Sequence, residues 1–278
     1  MSLRARATNS NLSGRRHAPA TPSVHLQTLS SGSGGNSTLV RAGAHTLLVD
    51  AGLGPRNMAE RLEQAGTSVR ALQHLAVTHG HLDHAHSAGV LSKKSGAIVH
   101  CVEALMNQPA LARAVRFSTL PVGGTRELAG DLALTSVALP HDAHPTLAFR
   151  IDHAGDAGTR RAVVLTDMGR PDRDVARALG GAHLLLLEFN HDRQMLDDGP
   201  YSAALKARVR GDHGHLSNEQ AAQMLEWMAG PELHTLVLAH LSETNNRAEL
   251  AEASARATLA RLGLAHVRVV IAGQHEVG

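Results

Sequence analysis

A chain of 278 residues with 43% hydrophobic side chains can bury a sizeable core, and with only 2% aromatics that core falls to Leu, Val and Ala. No run approaches the roughly 20 apolar residues that cross a bilayer, no apolar N-terminal stretch marks a secretory signal, and the lone Cys101 excludes an internal disulfide framework and points to the cytoplasm. The net charge of +2 is uneven, because residues 1–22 hold Arg4, Arg6, Arg15 and Arg16 and no acid; they read as a disordered basic tail, or alternatively as a weak nucleic-acid tether, ahead of one folded domain over 23–278.

After the tail, short apolar runs alternate with helical patterns. The spacing predicts strands over 24–29, 38–41 and 45–50, with a Gly/Ser-rich turn over 30–37 after the first. A helix is expected over 58–64, a strand over 72–77, a helix over 84–94 and a strand over 98–101. A further helix over 103–114 carries an awkward Pro109. Residues 117–151 read mostly as β, with strands at 117–120, 133–138 and 147–151. The continuous apolar runs at 162–166 and 183–188 are typical of strands buried on both faces. A helix over 217–228, a strand over 235–239, a helix over 247–261 and a strand over 267–271 complete the chain. Two β-rich halves with interleaved helices suggest an α/β protein whose sheets pack face to face beneath outer helices.

Histidine is the anomaly, with 20 in the chain, so single histidines count for little and only ordered constellations persuade. The strongest is Thr78-His79-Gly80-His81-Leu82-Asp83-His84, directly after an apolar run. In an extended segment His79 and His81 point the same way and can grip one metal ion, while Asp83 and His84 open the next helix and can face a second. One segment cannot complete two coordination shells. Other strand ends supply candidates: Pro140-His141-Asp142, Asp167 and His240 each follow an apolar run at its C-terminal end, where open sheets present ligands.

These blocks resemble the metallo-β-lactamase superfamily, and more closely its YycJ/WalJ branch, a group of bacterial proteins described as exonuclease-like. The resemblance runs from about Ser30 to Leu250. The 79–84 motif carries the superfamily; Asn-His-Asp (190–192), Gly-His-Leu-Ser-Asn (214–218) and His-Leu-Ser (240–242) carry the branch. It implies an αββα sandwich, two mixed β-sheets flanked by helices, with two divalent metal ions at one edge. Zn²⁺ is expected, with Mn²⁺ or Fe²⁺ also accepted by such ligands. In the implied arrangement His79, His81 and His141 hold the first ion, Asp83, His84 and His240 the second, and Asp167 bridges them. Asp50 either matches the superfamily's buried supporting Asp or simply forms a turn.

Two neighbouring metals suit hydrolysis, and Asp83 is the candidate to orient the water and take its proton. The leaving group needs an acid, for which Glu188 and His215 are the candidates; His215 precedes a helix that opens with the capping box Ser217-Asn218-Glu219-Gln220. Alternatively His215 only packs or caps. The turn 30–37 either offers backbone N–H groups to a phosphate or merely joins strands. Asp192 lines the site or caps a helix, and Asn245 and Asn246 bind substrate or cap the helix that follows. The favoured substrate is a nucleic-acid phosphodiester, DNA ahead of RNA, cut in an exonuclease-like 5′-to-3′ manner. The alternatives are a small-molecule hydrolase acting on a cyclic phosphodiester, thioester or lactone, and a metal-stabilised binding protein without catalysis. The basic residues Lys206, Arg208 and Arg210 have an alternate spacing that a helix would splay, so they read first as a solvated face.

Overall fold

The computed structural model describes residues 24–156 and 158–278. The expected tail over 1–22 lies outside the described residues. Among the described residues, no helix is long and apolar enough to cross a membrane.

Two mixed sheets form. The first takes strands β1 (Val24–Ser30), β2 (Ser37–Ala42), β3 (His45–Val49), β4 (His74–Ala76), β5 (Ile98–Cys101) and β6 (Phe117–Thr119) in sequential order. Its first three strands are antiparallel, and β3 to β6 run parallel. The second sheet takes β7 (Thr125–Ala129), β8 (Leu132–Leu139), β9 (Thr146–Gly155), β10 (Gly158–Leu165), β11 (Leu184–Glu188), β12 (Thr235–Ala239) and β13 (Arg268–Ile271). Here β7 to β10 are antiparallel, and β10 to β13 run parallel. The helices are α1 (Pro55–Gln64), α2 (Leu82–Ala85), α3 (Ala88–Ser95), α4 (Arg173–Leu179), α5 (Arg193–Asp198), α6 (Ala203–Arg210), α7 (Asn218–Met228) and α8 (Ala248–Arg261).

Side-chain alternation along the strands divides the apolar residues into two layers. Ala162 and Val164 of β10, Leu186 of β11 and Val237 of β12 face the first sheet across the inter-sheet core. Their neighbours Val163, Leu165, Leu185, Leu187, Leu236 and Leu238 face the outer layer, against α4, α7 and α8. The apolar runs at 162–166 and 183–188 therefore are strands covered on both faces, and the expected αββα sandwich is the fold.

Three local expectations differ from the structure. The helix expected over 84–94 is two helices, α2 and α3, parted at His86 and Ser87; the Ser87 side chain donates to Leu53 O and so ties the break to the loop after β3. The stretch 103–114 is not an α-helix but two single 3₁₀ turns, Glu103–Leu105 and Pro109–Leu111, because Pro109 lacks an N–H and its ring clashes with the preceding turn. Helices α4, α5 and α6 and strand β7 carry weak periodicity and were not expected.

Four of the histidines form a cluster away from the strand ends that carry the metal-ligand motif. His74 Nδ1 and His100 Nε2 lie 3.0 Å apart, and the His45 ring is 6.4 Å from His74 and 6.5 Å from His153 of the opposite sheet. Asp131 pairs with His45 at 2.7 Å. Burial, then the charges of His74 and Arg126, lower the pKa of His100 to about 3. The folded protein thus holds His100 neutral where the unfolded chain takes a proton, so stability drops as pH falls below the ordinary value of 6.5. Between pH 7 and pH 5 this linkage amounts to about 2 kcal/mol. Urea unfolding of wild type and His100→Leu at both pH values checks it: the pH dependence is expected to be flatter in the variant.

Candidate metal centre

The parallel strands of the two sheets end along one edge, and their C-terminal ends carry the predicted side chains. Residues 77–84 follow β4, His141 follows β8, Asp167 follows β10, Glu188 ends β11 and His240 follows β12. Asp50, Asp167 and His240 adopt φ of +60°, +62° and +56°, the left-handed region. A β-turning residue of this kind costs on the order of 1–3 kcal/mol and persists only where its surroundings impose it. All three sit where a strand stops and a polar side chain turns towards the centre. The first strand-end loop is equally tight: any Cβ on Gly52 would collide with the Asp83 carbonyl, and Asn36 N–H donates to that same carbonyl at 2.7 Å.

The structure brings the seven candidate ligands together. His79, His81 and His141 offer ring nitrogens within 4.8 Å of one another; so, as separate sets, do donor atoms of Asp83, His84 and His240 and of His79, His84 and Asp167. Asp167 lies between the sets, with Oδ2 at 3.2 Å from His84 Nε2 and Oδ1 at 3.9 Å from His141 Nε2.

Supporting contacts orient these rings. Asp50, almost fully buried, accepts from Thr78 N–H and Oγ1 at 2.8 Å each and from His84 Nδ1 at 2.7 Å. Thr78 Oγ1 in turn lies 3.0 Å from His79 Nδ1. Gly214 O accepts from His141 Nδ1 at 3.1 Å. Each ring is thereby fixed through Nδ1; this leaves Nε2 of His79 and His141 turned inwards, while Nε2 of His84 also lies 3.0 Å from Asn36 Nδ2. His79 Nε2 and Asp167 Oδ2 are buried with no hydrogen-bond partner among the described residues. Orphaned acceptors at the centre of a His/Asp cluster fit a divalent cation, which would satisfy both.

Electrostatics point the same way. Burial, then the charge of His84, drives the pKa of His79 well below its ordinary value, so the ring stays neutral as a metal ligand must. Burial opposes charge on His84 too, but the carboxylates of Asp167, Asp50 and Asp83 outweigh it and lift its pKa to about 10. Asp167 is held ionised: burial resists this, and the neighbouring His240 and His84 overcome it. The carboxylates create a demand for positive charge that a proton or a metal ion can supply.

Glu188 and His215 are paired as the sequence suggested. Fully buried Glu188 accepts from His215 Nδ1 at 2.7 Å and His240 Nδ1 at 3.1 Å through Oε1, and from Met168 N–H at 2.9 Å through Oε2. Burial disfavours the imidazolium of His215, yet Glu188, with Asp167 and Asp142, raises its pKa to about 9. The carboxylates around His215 thus favour its imidazolium form. Ser217 caps α7 in a full capping box with Gln220.

A cavity of about 280 Å³ opens over the cluster, lined by His81, Asp83, His141, Asp167, His215 and His240 on one side and by Tyr201, Leu205 and Arg208 on the other. The wall comes from α6 and the segment before it, which sequence reasoning missed because α6 buries no side chain fully and so shows no apolar stripe. On this helix the basic residues do splay: Arg208 donates to Asp142 Oδ2 at 2.6 Å at the cavity, whereas Lys206 and Arg210 turn to Asp197 of α5.

The open alternatives resolve individually. In the turn 30–37, the N–H groups of Ser31, Gly32, Gly34, Gly35 and Asn36 are bonded within the protein, so those groups brace the turn, while Ser33 lines the cavity. Asp192 caps α5. Asn246 is used internally, by Asn218, Phe189 O and Arg247 N–H, while Asn245 lines the cavity.

A Beta-lactamase superfamily domain model matches residues 45–241. Exodeoxyribonuclease WalJ of Streptococcus pneumoniae is 33% identical over 229 residues, covering 80% of this chain and 83% of that protein. Exodeoxyribonuclease YycJ of Bacillus anthracis is 31% identical over 247 residues, 86% and 90% of the two chains. Among solved structures, the metallo-β-lactamase fold protein YhfI from Bacillus subtilis superposes with a TM-score of 0.67 at 17% identity, covering 91% of this chain and 98% of its own. The short form of human tRNase Z superposes at 0.62 with 15% identity, covering 91% and 98%. At these identities the two structures speak for the fold alone.

Proposed function

This chain belongs to the metallo-β-lactamase superfamily of metal-dependent hydrolases, and from that premise we propose that it is a dinuclear metal-dependent phosphodiesterase that degrades DNA in an exonuclease-like 5′-to-3′ manner. The observation that carries the reading is the Glu188–His215 pair beside the seven-residue cluster at an open cavity. Cleaving a phosphodiester expels an alkoxide, a poor leaving group that needs a proton. His215, held through Nδ1 by the Glu188 carboxylate, lines the cavity and is placed to give that proton. The two relatives named as exodeoxyribonucleases supply the choice of DNA.

In this assignment His79, His81 and His141 would hold one ion, Asp83, His84 and His240 the other, and Asp167 would serve both; Zn²⁺ is the proposed metal. When bound, such ions would supply Lewis acidity, easing deprotonation of the attacking water and offsetting charge on the phosphate oxygens. Asp83, partly exposed at the cavity, orients the nucleophilic water and receives its proton. His215 donates to the departing oxygen, and Glu188 holds its ring in place. Asp50 fixes the Nδ1 side of His84 directly and of His79 through Thr78. The buried thiol of Cys101 is compatible with the proposed cytoplasmic location.

Supporting residues of this kind typically contribute 10–100-fold to metal affinity or activity. Asp50→Asn is accordingly expected to weaken metal binding by roughly 10–100-fold, read as the chelator concentration that halves bound metal. The function itself is tested by incubating metal-loaded protein with a 3′-labelled DNA duplex, beside Asp83→Ala. Progressive shortening that the variant lacks supports the proposal. If loaded wild type leaves duplex DNA, single strands and RNA intact, the nuclease reading fails and small phosphodiesters or thioesters become the candidate substrates.

A further inference from the structure

The cavity has a second polar feature that hydrolysis does not use. Asn245 is 1% exposed and lines the cavity, yet neither its Nδ2 nor its Oδ1 finds a hydrogen-bond partner among the described residues. Burying an amide without partners is costly, and the neighbouring Asn246 shows that this segment can satisfy such a group. The backbone around Asn245 is fixed: its N–H donates to Ser242 Oγ at 3.1 Å, and its carbonyl accepts from Asp192 N–H at 2.9 Å. The segment joining α5 to α6 is packed against it, and a Cβ on Gly199 would come within 2.5 Å of Asn245 Oδ1. Two residues on stands Tyr201, the only tyrosine of the chain, also lining the cavity.

The chemistry of the two groups narrows the ligand. A phosphate oxygen only accepts, so it can satisfy Nδ2 but not Oδ1. An unpartnered primary amide is matched by a group that donates and accepts side by side, as the edge of a nucleobase does. The aromatic ring adds a surface on which any base can stack. The other aromatics are placed elsewhere: Phe149 and Phe189 are buried in the core, Trp227 lies under Arg173, and Phe117 is on the edge strand β6.

We propose that Tyr201 and Asn245 form a nucleobase subsite, which holds the terminal base of the chain while its phosphodiester lies over the metal centre. This rests on the nuclease reading for its substrate, but its test does not need turnover. Calorimetric titration of the Zn²⁺-loaded protein compares deoxynucleoside 5′-monophosphates with base-free deoxyribose 5-phosphate. The nucleotides are expected to bind at least about 10-fold more tightly, the low end of a stacking contribution. Tyr201→Ala and Asn245→Ala are expected to lose most of that preference, and Tyr201→Phe to keep it. Equal binding of both ligands by wild type overturns the proposal. So does a variant that weakens both ligands equally, which marks a structural role, or one that keeps the full preference. A protein that passes here yet cuts no nucleic acid refutes the nuclease reading and leaves the subsite standing.

Discussion

His215→Ala is expected to lower kcat on DNA by roughly 10²–10⁴, the usual contribution of a positioned general acid, with metal content unchanged. His215 is held by Glu188 at 2.7 Å, and the surrounding carboxylates favour its imidazolium. Its role is specific to the leaving group, and this separates it from a metal ligand. A p-nitrophenyl phosphodiester expels a stable phenolate that needs no proton, so on that substrate the loss should shrink to about 10-fold or less. Parallel kinetics on both substrates, with metal measured by emission spectroscopy, decide the matter. An equal loss on both, or a fall in metal content, removes His215 from the acid role and makes it a structural or metal-binding residue. The latter is a real competitor, because His215 also shares a set with Asp167, Glu188 and His240 whose donor atoms lie within 4.8 Å.

Asp167→Asn is expected to have the other large effect: loss of at least one bound metal per chain and a fall in activity on the order of 10³ or more, since charge stabilisation by such a centre amounts to several kcal/mol and each 1.36 kcal/mol is tenfold. The substitution keeps the size of the side chain, and Asn tolerates the left-handed conformation that Asp167 adopts at φ +62°. The fold should therefore survive. What is lost is the negative charge that lies 3.2 Å from His84 Nε2 and that draws cations to the centre. Metal stoichiometry and thermal melting with and without chelator test this. Wild type should melt at lower temperature after chelation, because a metal that binds only the folded state stabilises it, while the variant should respond much less. Full metal occupancy in the variant with unimpaired turnover refutes the bridging role.

The elements that the sequence disclosed are those where one physical cause dominates. The runs at 162–166 and 183–188 are covered on both faces, so continuous hydrophobicity marks them directly. The 79–84 motif is legible because period-two geometry in an extended loop places His79 and His81 together whatever the rest of the chain does. His141, Asp167, Glu188 and His240 were found because each ends an apolar run. Where several weak signals compete, the sequence was less informative. Pro109 breaks an apolar pattern that otherwise favours helix, and α6 covers the site without burying a face, so its periodicity carries no hydrophobic signature.

The sequence by itself therefore disclosed an α/β protein of face-to-face sheets and the strand ends that carry the candidate ligands, because local periodicity and backbone direction are properties of short segments. Only the tertiary structure decided which neighbouring polar residues serve the fold and which face the cavity. Asn245 and Asn246 are identical in type and adjacent in the chain, yet Asn246 is consumed by Phe189 O, Asn218 and Arg247 while Asn245 is left unpartnered beside Tyr201. That difference is set by partners up to 57 positions away in sequence, which meet only when the strands and helices have packed.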